Sequence, residues 1–446
     1  MRGFCFEKKH THGILSIYMG EIFIKGLDFV FHIVGATAFI WLPIVLGYIA
    51  LTLWHHYLES QFVHGIKWKL LEVRIPRDVE KSPQAMELIL SNALYQATDP
   101  NWYYKYWVGR ARLWFSLEMV SLEGEVHFYI RTPSKLKNLV ETQIYAQYSQ
   151  AEVIEVPDYA FRVPSLMHGS EWDMWGCQFA LEKPDPFPVK TYIDYGLDKA
   201  VGSEEEQKID PLTPTIELLG SFKRGEQAWI QILIRASKKS YHKHGTWNDH
   251  HGFHDEANVA IQTMLAPYKK TETDAEGHPL SVTYNIPDFL KDDITAIKRK
   301  SSKLAFDTIV RVVYTAKKVD FNKENQRALR LAFRQYATPT LNAFKRYGSP
   351  GYAYPWQDRS GKKTLMQKEH FLDAYRTRSG FYPKVEDTFH MPWPLSKLYS
   401  GHAAELAVLN TEELATIFHF PGRVSQTTSF KRIDSKKSSP PSNLPI

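Results

Sequence analysis

The chain has 446 residues, 43% hydrophobic and 23% charged, enough for two or three ordinary cores beside a membrane segment, and its mean hydropathy of -0.36 excludes a polytopic membrane protein. A net charge of +6 suits solubility or a weak attraction to anionic lipid or nucleic acid, does not point to a strongly basic nucleic-acid binder, and chooses no partner. Its two cysteines, Cys5 and Cys177, flank the longest apolar run, so no disulfide can form within the region after that run, in keeping with a reducing compartment.

Residues 1–26 carry Arg2, Lys8, Lys9 and Lys25 and read as a cytoplasmic or interfacial segment, with residues 14–25 mixed enough in character to lie along a membrane surface. From 29 to 54 there is no Asp, Glu, Lys or Arg. At about 1.5 Å per residue this run exceeds the roughly 20 residues that cross a bilayer, which predicts a transmembrane helix over 27–57. Pro43 and Gly47 are tolerated in bilayers, and Trp41, Trp54 and Tyr57 are of the type that anchors at interfaces. A buried core helix is the competing reading. A cleaved signal peptide fits less well, because the run starts late, is too long and lacks a small-residue pattern before Trp54. Lys67, Lys69, Arg74 and Arg77 after the span balance the basic residues before it, so charge alone leaves the orientation open.

Alternation over 69–75 predicts a strand ending at Pro76, and Ser82-Pro83 opens a helix to about Gln96. Runs 113–120 and 125–132, joined across Leu122-Glu123-Gly124, predict a hairpin. A helix over 134–147 and a short strand over 151–156 complete a β-α-β-β-α-β order over 65–158, that of a ferredoxin-like module. A weaker copy of the order follows over 187–346. Its expected elements are strands at 188–195, 228–236 and 304–316 and helices at 213–222 and 322–335, the last with Ala328, Leu331 and Ala332 facing inward. Residues 237–302 form a long insertion with one or two helices, such as 256–264. Residues 347–422 are aromatic and turn-rich, with Pro392, Pro394 and Gly401, and are expected to be irregular up to a helix that starts at Asn410-Thr-Glu-Glu. A basic, linker-like tail occupies 423–446. The fold class is therefore α+β: an N-terminal transmembrane helix, then two ferredoxin-like modules, the second with the long insertion.

Four groups of residues invite a chemical reading. Ser360-Gly-Lys-Lys-Thr364 looks like part of a phosphate loop, but Trp356 stands where the first glycine belongs and Lys363 where the hydroxyl belongs, so it reads as a turn. His242, His244, His250, His251 and His254, interleaved with Asp249, Asp255 and Glu256, are zinc-ligand types. Gly245 and Gly252 break any common helix and no His-Glu-x-x-His pattern is present, so a polar loop is the simpler reading. Residues 102–112, Trp-Tyr-Tyr-Lys-Tyr-Trp-Val-Gly-Arg-Ala-Arg, interleave aromatic and basic side chains as single-strand binding platforms do. The strand over 124–130 lacks the basic-Gly-aromatic pattern of RNA-recognition domains, and packing against a neighbour or a membrane interface is the alternative. Glu123 and Glu125 flank a hairpin glycine and read as solvated turn residues. No nucleophile elbow is present, and no catalytic, cofactor-binding or metal residue is assigned.

Residues 71–77 with 81–86, residues 114–133 and residues 409–421 together resemble the membrane-anchored N-terminal region of conjugation-type, type IV secretion-like DNA-translocation ATPases, the TraC/HerA-like class of candidate-phylum bacteria. The resemblance covers roughly residues 30 to 446. In longer relatives a nucleotide-binding motor follows a tail like the one before Ile446. The resemblance implies a non-catalytic subunit of a type IV secretion or DNA-translocation assembly, anchored once in the inner membrane with its soluble region in the cytoplasm. It requires no cofactor, and its partners are the bilayer, a separate HerA/TraC-like ATPase and other secretion-system membrane proteins; self-association is compatible with it. Two other functions stand beside it: a membrane-anchored metal-dependent hydrolase using His250 and His254, and a membrane-associated nucleic-acid binder.

Overall fold

A computed structural model describes residues 32, 35–76, 81–97, 100–166, 169–198, 210–237, 241–242, 250–273, 279–284, 286–352, 354–382 and 406–421. The expectations for 1–26 and 423–446, and for Pro392, Pro394 and Gly401, lie outside these residues. The chain divides into two units, Met1–Val63 with Asn101–Arg110, and His64–Pro100 with Ala111–Ile446.

In the first unit the charge-free run forms helix α1 (Ala38–His64), 27 residues long with Pro43 inside it and none of its residues buried. Among the described residues it is the one helix long and apolar enough to cross a membrane, at about 40 Å for that length. A short helix, Trp102–Tyr106, belongs to the same unit.

The second unit is mixed α+β, built on one antiparallel sheet. Its first half runs β1 (Trp68–Arg74), α2 (Gln84–Ile89, prolonged by a wider turn to Leu94), β2 (Phe115–Leu122), β3 (Glu125–Pro133), α3 (Lys137–Gln147) and β4 (Glu152–Glu155). Its second half opens with β5 (Trp172–Leu181), α4 (Thr213–Gly220) and β6 (Glu226–Ala236). An inserted stretch follows, holding the small hairpins β7 (Tyr241–His242) with β8 (His250–His251) and β9 (Lys269–Thr273) with β10 (Pro279–Tyr284), and the helices α5 (Phe253–Leu265) and α6 (Asp288–Ser301). Then come β11 (Ala305–Lys317), α7 (Lys323–Leu331), β12 (Phe344–Tyr347), α8 (Lys362–Thr377), β13 (Ala407–Asn410) and α9 (Thr411–Ile417). The strand order is β12-β5-β11-β6-β2-β3-β1-β4, with β13 also on β11. β2 against β6 joins the two halves, Glu118 opposite Gln231.

Most elements fall within a few residues of their expected bounds, and the exceptions lie in the second half of the unit and after it. The strand expected at 188–195 is a turn, because the Asp194 carboxylate accepts hydrogen bonds from the Thr191 amide and hydroxyl and folds the chain back on itself. The strand opening this half is β5, N-terminal to the expected boundary at 187. Leu331 is exposed and Leu329 is buried on α7, since the helix ends at Leu331 and turns its last apolar side chain outward. The described part of 347–422 is more regular than expected, because α8 is a 16-residue helix. The hairpin at Glu123-Gly124 has positive φ at both residues, 56° and 91°, the two-residue turn that matches strand twist.

Alternation along the strands sorts the side chains into two layers. Phe115, Leu117 and Met119 of β2, Ile230, Ile232 and Ile234 of β6 and Val310 and Val312 of β11 share one core with α2, α3, α4 and α9. The opposite face carries Val120, Trp229 and Val313 under α8 and residues 159–166.

Candidate functional site

The face beneath α8 holds a row of side chains across the sheet that is polar from β1 to β12. Register places Ile154, Glu72, Tyr129, Glu118, Gln231, Arg311, Gln178 and Tyr347 opposite one another on successive strands, and cross-strand partners share a face. Its middle is sealed, with Glu118 and Gln231 fully buried. A carboxylate there is costly unless paired and hydrogen-bonded. Arg378 supplies the pairing: it caps α8 in a left-handed conformation (φ 51°). Its Nε and second guanidinium nitrogen lie 2.9 and 3.0 Å from the two Glu118 oxygens, and it also pairs with Asp158.

The remaining Glu118 acceptor sites are filled as well. Ser116 Oγ donates at 2.5 Å and Tyr159 Oη at 2.9 Å, and the Tyr159 and Tyr375 hydroxyls meet at 2.6 Å. Gln231 bridges outward, donating to the Tyr375 carbonyl at 3.1 Å. Arg311 donates to the Ala374 carbonyl at 3.2 Å. Burial alone would raise the Glu118 carboxyl, but the Arg378 charge and the hydrogen bonds from Arg378, Ser116 and Tyr159 hold it below the usual carboxylate range. Burial raises the Tyr159 and Tyr375 hydroxyls well above theirs, so both stay neutral donors. The arrangement suits a lock between α8 and the sheet better than proton transfer, because a general base needs a value near the working pH.

A second buried charge cluster anchors the C-terminal segment. Every residue of α9 is buried, and Asn410 with Glu413 forms a capping box at its start. Glu413 also accepts from the Val189 amide at 2.9 Å and lies 3.1 Å from Lys300 Nζ, both side chains fully buried. Burial raises the Glu413 carboxyl, and Lys300 with the backbone donors offsets this only in part. Glu412 meets Arg299 at 3.2 Å and Lys303 at 3.0 Å. The basic C-terminal turn of α6 thus faces the acidic first turn of α9, an arrangement both helix dipoles favour. Through these pairs α6, the last helix of the insertion, clasps α9.

At the other end of α9, His419 is buried 3.2 Å from Asp210. Burial disfavours the imidazolium, but the Asp210 charge and hydrogen bond prevail and raise His419 above its ordinary value. A raised value means that the native chain holds this proton more firmly than the unfolded one. The contribution is complete below about pH 6.5 and is lost as pH rises through the raised value. The melting temperature of the full chain in detergent is expected to fall between about pH 6 and about pH 8.5, and His419→Gln to flatten that slope. An unchanged slope in the variant would refute the assignment.

The residues singled out from the sequence are not brought together. Gly361 has φ 69° and precedes α8, whose Thr364 amide donates to Asp358 at 2.7 Å. A carboxylate thus occupies the helix start where a phosphate loop would bind its anion. His250 and His251 lie in the small β7–β8 hairpin with His242, while His254 is exposed on α5, after the Gly252 cap; His244 and Asp249 lie outside the described residues. Among the described residues no group of three or more His, Cys, Asp or Glu side chains is placed to hold a metal. Glu123 and Glu125 are exposed at the hairpin, as expected. The stretch 102–110 falls in the first unit, beside α1. No protein-family model matches the chain, and no curated protein is significantly similar to it.

Proposed function

We propose that the chain is a non-catalytic, membrane-anchored subunit of a type IV secretion-like or DNA-translocation assembly that docks a separate ATPase. The observation that carries this reading is α1, a long apolar helix with no buried residue, separated from β1 by residues 65–67 alone. An apolar helix with none of its residues buried needs another apolar environment, and the bilayer is the one its length fits. On this reading α1 crosses the inner membrane once, with the sheet-bearing unit in the cytoplasm. Each half of that unit orders its strands fourth, first, third, second, with helices after the first and third strands. This supports reading the halves as ferredoxin-like modules.

The translocation assembly enters through the resemblance, and the residues that carry it meet in one core. Leu71, Met86, Phe128, Leu409 and Leu414 all belong to it, and the Phe128 ring centroid lies 5.8 Å from that of Phe418 and 5.7 Å from that of Phe420. These are packing residues, so what they support is a shared scaffold, and the docking role rests on the resemblance.

Two measurements test the proposal separately. An alkaline carbonate wash of native membranes is expected to leave the chain in the pellet, and its release would remove the anchor. Purification of the tagged full chain in mild detergent is expected to recover an ATPase, and repeated recovery without one would remove the docking role.

A further inference from the structure

The aromatic stretch Trp-Tyr-Tyr-Lys-Tyr-Trp-Val-Gly-Arg at 102–110 leaves the sheet-bearing unit between α2 and β2 and belongs to the same unit as α1. Its attachment is close. A Cβ on Gly109 would lie 2.3 Å from the Leu58 carbonyl carbon, so only glycine permits the approach, and its φ of 67° is one that L side chains rarely adopt. The Tyr106 ring sits 5.2 Å from the His55 ring. Both contacts fall just past Trp54, where the charge-free run ends and His55, His56, Glu59 and Gln61 begin.

That position is the level at which a spanning helix meets lipid headgroups. The loop there keeps large apolar side chains in solvent, Trp102 at 65% and Trp107 at 59% exposure, with Tyr103, Tyr104 and Tyr106 also exposed. Its cations lie over its own rings, Arg110 at 4.6 Å from the Tyr104 centroid and Lys105 at 5.0 Å from that of Tyr106. Trp54 and Tyr57 of α1 are exposed in the same unit, their ring centroids 6.2 Å apart. Amphipathic rings with flexible cations are what the bilayer interface accommodates best.

We propose that Asn101–Arg110 is a second membrane-contacting element, seated in the headgroup layer where α1 leaves the bilayer. This rests on reading α1 as membrane-spanning, and the test separates the two. The full chain with Cys5→Ser is labelled with a fluorophore at Tyr103→Cys, at Leu51→Cys within α1, or at Val319→Cys, an exposed turn of the sheet-bearing unit. Each protein is reconstituted in phosphatidylcholine vesicles containing some phosphatidylglycerol, with lipid quenchers placed near the headgroup or deep in the chains.

The label at 51 is expected to lose its emission to the deep quencher, the label at 103 to the shallow one, and the label at 319 to neither. Adding Trp102→Ser and Trp107→Ser is expected to abolish quenching at 103 and to spare that at 51. Quenching at 51 without quenching at 103 overturns the proposal and leaves the anchor standing, while quenching at neither overturns both. Protection of the label at 103 by a single-stranded oligonucleotide but not by lipid also overturns it, in favour of nucleic-acid binding.

Discussion

Arg378→Met is expected to destabilise the sheet-bearing unit by about 3–5 kcal/mol, the usual cost of removing one partner from a buried ion pair. The side chain is fully buried between Glu118 and Asp158, and methionine fills much of its volume without its charge. The penalty therefore reflects the stranded Glu118 carboxylate, and its pH dependence identifies it. In the native chain Glu118 sits below its ordinary value, so its contribution is present above about pH 4.5 and is lost as pH falls through the lowered value. Without Arg378 the carboxyl protonates more readily, and the gap between variant and parent should narrow on acidification. Arg378→Lys is not an adequate replacement, because an ammonium cannot span two carboxylates in a fork. Urea unfolding of the full chain in detergent, followed by tryptophan emission, measures all of this. A loss below about 1 kcal/mol would place the pair among ordinary surface bridges.

Lys300→Met is expected to cost about 3 kcal/mol near neutral pH and to loosen α9 selectively. Glu413 would keep its backbone donors at Val189 and Asn410 and lose its only charge partner among the described residues. Its carboxyl is already raised in the native chain, so the native state binds that proton more readily than the unfolded state. Stability from this group is present below about pH 4.5 and declines as pH rises through the raised value. Removing Lys300 pushes the value further up, so the destabilisation should grow from about pH 5 to about pH 8. Amide exchange in 411–417 should quicken before exchange in β2 or β6 does. Equal loss at both pH values, or uniform exchange across the sheet, would refute the clasp between α6 and α9.

Legibility in the sequence followed the range of the interactions involved. Glu123-Gly124 and the Asn410 capping box were readable because the turn and cap residues are neighbours of the elements they end. The alternation of β2, β6 and β11 was readable because one sheet face is almost wholly apolar. β5 is obscured in the sequence because Gly176 and Gln178 interrupt its pattern on the polar face, whereas residues 188–195 carry β-prone side chains and fold as a turn. Nothing local links Glu118 to Arg378, 260 residues apart, and the tolerance of a buried glutamate depends on that charge together with the Ser116 and Tyr159 hydroxyls. Lys300 likewise reads as one more cation at a helix end until α9 is seen beside it. The polar row is invisible in one dimension, because each strand contributes only a residue or so and register alone aligns them.

β1 follows the end of α1 after three residues and lies between β3 and β4. A pull transmitted along α1 therefore enters the sheet at an interior strand. Trp68 to Leu70 register with β3, Val73 and Arg74 with β4, and Leu71 and Glu72 with both, so complete detachment of the strand requires two ladders to yield, where an edge strand has one. Under the proposed anchoring, that placement bears on the mechanical strength of the attachment separately from thermodynamic stability.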